Sequence, residues 1–231
     1  MVSTDPHQRR HRDQILELTV LALLYVLQVV NAESLRHAIT VSASAVWGGK
    51  PSLLSLFVST VTRTIHPLAM LVFGVWLLVM VVWIVRHRPL PRWSFDGLGC
   101  WFCLRLVVEF LIINVLIFEP TLVAPGVLLS QIVLYLPFFV VCCGWFFHRL
   151  DWVGRGQPGQ ILQLTDLSPT HELGRFDYFH SAINTLLNKS KPTIAGVSRR
   201  GRIAVLIFNG MVLGLYTVAF TRILQLTKVV L

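Results

Sequence analysis

The sequence predicts an all-α integral membrane protein, with four or five transmembrane helices and a re-entrant helix and loop before the last of them. Three observations carry this expectation. Apolar residues make up 55% of the 231 and charged residues only 13%, about half the charged share of an ordinary soluble domain. The apolar residues also run in blocks approaching the ~20 positions that a helix needs to cross a bilayer. Finally, a short stretch at 177–187 and a polar turn stand directly before the last block, and a half-span followed by a full span is the pattern of a chain that enters and leaves on one side.

Residues 1–14 form a basic N-terminal tail with Arg9, Arg10 and Arg12, and 15–30 is then apolar apart from Glu17 and Gln28. This reads as a first span. A cleaved signal ending near Ala32 is the alternative, although the apolar run is long for one. Residues 32–51 are mixed and close in Gly48-Gly49-Lys50-Pro51, so a loop and turn are expected there. The segment 53–66 interleaves leucines with Ser55, Ser59, Thr60, Thr62 and Arg63, a composition suited to a helix lying in the membrane interface. A second span follows over 67–85. The two pieces are too long for one straight span, and Pro67 predicts a bend where they join.

The basic turn 86–92 stops that helix, with Trp83 and Trp93 at interfacial positions. The third span, 98–118, carries Arg105 and Glu109 four residues apart. That spacing puts both on one helical face, where an internal ion pair lets each reside in the membrane. A voltage sensor would need further arginines at regular spacing. The loop 121–125 lacks Lys and Arg and leads into 126–147, where Pro137 predicts a kink. Residues 149–176, rich in Gly, Gln, Asp and Pro, are expected outside the membrane. The apolar run 203–224 completes the module 177–231.

That module carries a resemblance. A half-span over 177–187, a polar turn from Asn188, and a full span opening near Gly201-Arg202 resemble the pore module of the potassium-channel superfamily. Laid on it without gaps, Asp177 falls where the pore helix begins, Thr185 on a pore-helix threonine, and Gly201-Arg202 at the start of the inner helix. The match covers roughly the last third of the chain. The sequence is also similar to divergent bacterial members that keep the outline and replace the filter, sharing an aromatic helix end with a Leu-Asp pair, here Trp145-Phe146-Phe147-His148-Arg149-Leu150-Asp151. The resemblance implies an ion-conducting pore, a homo-oligomer of four subunits, and a place in a bacterial plasma membrane.

Its filter-like positions are Thr185, Asn188, Lys189, Ser190, Lys191, Pro192 and Thr193. The family carries Thr-Thr-Val-Gly-Tyr-Gly-Asp where this chain runs from Leu187 to Thr193. Potassium filters rely on glycines that let successive carbonyls face inward and replace the ion's water shell. Neither glycine is present, and four subunits would bring eight lysines to one axis, repelling cations strongly in a low-dielectric constriction. A pore of the potassium type is therefore not expected. Gly210 and Gly214, spaced small-xxx-small on the last helix, read as a hinge or as tight packing. Asn209, Tyr216, Thr217 and Thr221 are candidates for a polar path.

The net charge of +9 is spread over short turns between apolar blocks. That predicts anionic lipid rather than nucleic acid as a partner. The positive-inside rule puts the tail, the 86–92 turn and Arg199-Arg200-Gly201-Arg202 in the cytoplasm, the reverse of a potassium channel, whose filter faces outward. Two other functions compete with a conducting pore. One is a non-conducting structural or regulatory subunit. The other is a thiol oxidoreductase using Cys100, Cys103, Cys142 and Cys143; Cys100 and Cys103 have redox spacing, while adjacent cysteines bridge poorly. The scattered histidines, the lack of a phosphate-binding glycine loop and the lack of a nucleophile–base pair predict no enzyme, no metal and no cofactor.

Overall fold

The computed structural model describes residues 6–46, 60–86, 88, 90–118, 125–153, 161–165, 174–187 and 193–230. Its helices are α1 (Pro6–Val46), α2 (His66–Val85), α3 (Arg92–Phe118), α4 (Pro125–Val153), α5 (Arg175–Leu187) and α6 (Arg199–Val230), and its strands are β1 (Leu162–Leu164) and β2 (Ile194–Gly196). The all-α expectation fits. Among the described residues, four helical stretches are long and apolar enough to cross a bilayer: His11–Arg36, Arg63–Val85, Leu129–Asp151 and Arg199–Thr221. The remaining long helix, α3, covers residues 98–118, expected as the third span, and is not among those four.

Two stretches differ from the sequence expectation. Residues 32–46 were expected to loop and instead extend α1. Ala32, Glu33, Leu35 and Arg36 all favour helix, no Gly or Pro intervenes before Gly48, and Glu33 bonds Arg36 at 3.0 Å across one turn. Helix also reaches back to Pro6, into the stretch read as a tail. The second difference is the strand pair. It draws on residues from 149–176 and from 188–202, both expected to be irregular. Leu162-Gln163-Leu164 alternates buried, exposed, buried, the period of a half-buried strand, but its partner lies some thirty residues away and no local signal announces the pairing.

The chain forms two compact units, one of residues 1–105 with 121–124 and the other of 106–120 with 125–231. In the first, α1 packs on α2 and on the π-helical turn Val61–Ile65 that precedes it. The ladder changes from π to α spacing at His66, directly before Pro67, the place where the sequence predicts a bend. Proline has no N–H to donate, so it is tolerated where the ladder is already reset. The Tyr25 hydroxyl donates to the Met70 carbonyl at 3.1 Å, lying over Gly74, where a Cβ would come within 2.5 Å of it. Phe73 stacks on Trp101 at 4.3 Å. Arg105, 5% exposed, donates to His66 Nδ1 at 2.7 Å. That nitrogen must be the acceptor, so the ring's proton resides on Nε2.

In the second unit α4 is the central post. Phe139 stacks on Phe208 of α6 at 5.3 Å, and Phe147 meets the same ring edge-on at 5.2 Å. Tyr135 donates to the Leu106 carbonyl at 3.0 Å. At Gly144 the absence of a side chain lets α5 approach, since a Cβ there would lie 2.8 Å from Phe179 Cγ. Pro137 sits within α4, which continues to Val153. The strands pair antiparallel, Leu162 opposite Gly196 and Leu164 opposite Ile194.

Candidate functional site

The last turn of α4 ends in Asp151, which is 2% exposed. Its carboxyl oxygens accept the Tyr178 hydroxyl of α5 and the Leu162 amide of β1 at 3.4 Å. His148, one turn earlier, sets its ring edge-on to Tyr178 at 5.5 Å. One buried carboxyl thus ties α5 and β1 to the end of α4.

From that anchor α5 departs. Asp177 in its first turn reaches back to accept the Gly174 amide at 2.6 Å, which closes the helix start and sets an acid at the positive end of the dipole. Tyr178, Ser181, Ala182, Thr185 and Leu186 are buried, at the spacing of one helical face. At the far end the Leu186 carbonyl, which no helical amide can reach, accepts the Tyr216 hydroxyl of α6. Tyr216 lies roughly 25 Å along α6 from Arg199, at ~1.5 Å rise per residue. The tip of α5 is therefore far down α6, away from where α6 begins.

The chain then returns. Thr193 donates to the Ser181 carbonyl at 2.8 Å, and Thr185 lies 2.6 Å from Thr193 Oγ1. A hydroxyl has one proton, and Thr193 gives its own to Ser181, so Thr185 is the donor between the two. Beyond Thr193, β2 pairs with β1, and Val197 donates to the Ile161 carbonyl at 3.0 Å. Ser198 then caps α6 by accepting the Gly201 amide at 3.1 Å. The departure of α5 and the return of β2 are both fastened at the Asp151 end of α4.

Two glycines make this return possible. A Cβ on Gly201 would run into the Ile161 carbonyl oxygen, and one on Gly196 into the backbone of Gly201 and Arg202.

Of the sequence-derived positions, Thr185 and Thr193 come together directly. Asn188, Lys189, Ser190, Lys191 and Pro192 lie outside the described residues. Gly210 and Gly214 separate. A Cβ on Gly214 would meet Phe110 at 2.6 Å, whereas one on Gly210 would meet nothing within 4 Å. Tight packing thus describes Gly214 alone. Arg105 engages His66, a partner the spacing did not suggest, and Glu109 in the second unit is 1% exposed. Thr217 and Thr221 bond back to their own helix at 2.9 and 2.8 Å, the usual habit of hydroxyls on apolar helices. None of the four cysteines is in a disulfide, and Cys142 and Cys143 are buried.

Sequence reasoning missed Tyr178, Gly144, Gly196 and the 162–164 strand, and noticed Asp151 only through a resemblance. An acid at the end of an apolar run followed by a tyrosine was the available signal for the latch.

The threonine pair gives an asymmetric prediction. Thr193→Val removes the acceptor of Thr185 and a donor to Ser181, and should cost about 1–2 kcal/mol; Thr185→Val removes one donor and should cost about 0.5 kcal/mol. Thermal unfolding of the two variants in detergent measures the difference.

Comparison of the chain with protein-family models, with curated proteins and with solved structures finds no match.

Proposed function

We propose that this chain is embedded in a membrane as one subunit of an oligomeric channel-like protein, in which α4, α5, the residues between α5 and β2, and α6 form a pore-loop module. One observation carries this reading. The segment from Tyr178 to Val197 leaves and rejoins the chain at the Asp151 end of α4, while its helix tip reaches Tyr216 far along α6. A helix that descends part-way and returns to the same end is the geometry of a re-entrant loop, and irregular backbone at membrane depth is stable only within protein or beside water. The long apolar helices supply the membrane half of the argument. The faces of α2 at Leu68, Leu71, Val75 and Leu78 are exposed and suit lipid.

Between α5 and β2 the sequence carries Lys189 and Lys191. Gathered around one axis they repel cations, so the path, when open, favours anions over potassium. Flux in proteoliposomes is the test. The wild type should pass a small anion such as chloride, and changing Lys189 and Lys191 together to alanine should shift the anion-to-cation ratio toward cations by tenfold or more, about 1.4 kcal/mol. Absence of flux for any common ion overturns the conducting reading. A non-conducting subunit is favoured by one specific feature, the Thr185 and Thr193 hydroxyls, which are bonded to each other and to Ser181 and are buried inside the unit, away from an open ion path. Silence alone together with co-purification of a second pore-forming chain would select it.

A further inference from the structure

The face of α6 turned away from its own unit carries a heptad seam. Leu206, Leu213 and Phe220 are spaced by seven, as are Asn209, Tyr216 and Ile223, and the two series interleave three and four apart. All six are exposed, with Tyr216 at the edge of the face, where its hydroxyl also reaches the Leu186 carbonyl of α5. The opposite face, with Ala204, Phe208, Met211, Leu215 and Val218, is buried in the unit. An a/d repeat of this kind is the pattern that lets one helix lay knobs into holes of another.

Asn209 makes the seam costly to leave in lipid. It stands near the middle of the apolar stretch Arg199–Thr221, its side chain is exposed, and among the described residues its amide has no hydrogen bond. Thr217 and Thr221 satisfy themselves on their own backbone, and the Asn114 amide does so on the Phe110 carbonyl at 2.7 Å; among the described residues the Asn209 amide makes no such bond. Beside it Gly210 opens onto free space, which permits close approach of another backbone.

We infer that this seam docks on the same seam of a second copy of the chain, with the Asn209 amides hydrogen-bonded to one another at the contact. The partner's identity follows from self-complementarity. An amide offers both donors and an acceptor, so Asn209 can satisfy Asn209. Copies inserted in one orientation run their α6 helices parallel, and in a parallel pair each heptad layer meets its own equivalent. A single polar residue in such a seam fixes the register. This rests on the oligomeric membrane reading above and adds which helix face makes the contact.

The test is disulfide cross-linking in native-lipid membranes, with the four native cysteines replaced by alanine and single cysteines placed at 206, 209, 213 and 220, and at Ile203 and Ile207 as exposed positions off the seam. The four seam positions should cross-link at least about tenfold more than the two controls, with heptad periodicity. In parallel, Asn209→Leu should weaken self-association roughly three- to twenty-fold, the range for hydrogen bonds between membrane helices, and Asn209→Gln should restore most of it. Oligomers by native mass spectrometry without cross-linking at the seam overturn the inference and leave the oligomeric reading standing. A monomer overturns both. Cysteine at 209 that reacts fully with a water-soluble thiol reagent and never cross-links also overturns it, since the seam would then line a watery path with no partner helix in contact.

Discussion

Gly201→Ala is expected to cost about 3 kcal/mol or more, at the upper end of what overpacking does, and to abolish the junction between β1, β2 and α6. The methyl group would be forced onto the Ile161 carbonyl oxygen. That oxygen already accepts Val197, so it cannot withdraw without breaking the strand pair. Flexible side chains rotate away from an added methyl, whereas two backbones locked by hydrogen bonds do not. The contrast is Gly210→Ala, which meets open space and replaces the poorest common helix former by the best, so it should leave the fold unchanged or stabilise it by up to ~1 kcal/mol. Urea or thermal unfolding of the two variants in one detergent is the measurement.

Asp151→Ala should cost a comparable amount, about 3 kcal/mol, because it strands two donors, the Tyr178 hydroxyl and the Leu162 amide, each worth ~1–3 kcal/mol when buried and unsatisfied. Tyr178→Phe removes one donor to the same carboxyl and should cost about 1.5–3 kcal/mol. The two changes share one hydrogen bond, so the double variant should be less destabilised than the two losses added, by at least ~1 kcal/mol. Strict additivity in that cycle would mean that the bond does not hold α5 to α4. Proteolysis offers a second readout, since loss of the latch should expose β1 to cleavage before the helices unfold.

The parts of this fold that were legible in the sequence are those governed by local pattern. Apolar run length located the long helices, the proline-rich 86–92 turn separated two of them, and the half-span at 177–187 appeared as a helix too short to cross. The return after Thr193 was not legible, because it depends on three residues near Leu162 meeting three near Ala195, and strand pairing across such a separation leaves no periodic trace. The extension of α1 to Val46 was misjudged for a different reason. Mixed polarity was read as a loop, when Ala, Glu, Leu and Arg in succession carry helix propensity whatever their hydropathy. Within the site, Thr185 was singled out from its position on the pore-helix outline, while its donor role toward Thr193 required the coordinates. Gly210 and Gly214 show the limit of motifs. Their spacing is one motif, but their neighbours differ, and only Gly214 has a ring of its own unit against it.

The proposed pore-loop module requires α5 to enter the membrane beside α6 and the chain to come back to the side it left. Thiol accessibility in sealed vesicles tests this most directly, using single cysteines at Phe176, Ile183, Leu187 and Val197 in a chain without its native cysteines. Phe176 and Val197 should react with an impermeant reagent added to one face only, the same face for both, with reactivity falling through Ile183 to Leu187. Full reaction of all four at the rate of a thiol in bulk water, or reaction of Phe176 and Val197 from opposite faces, would contradict it.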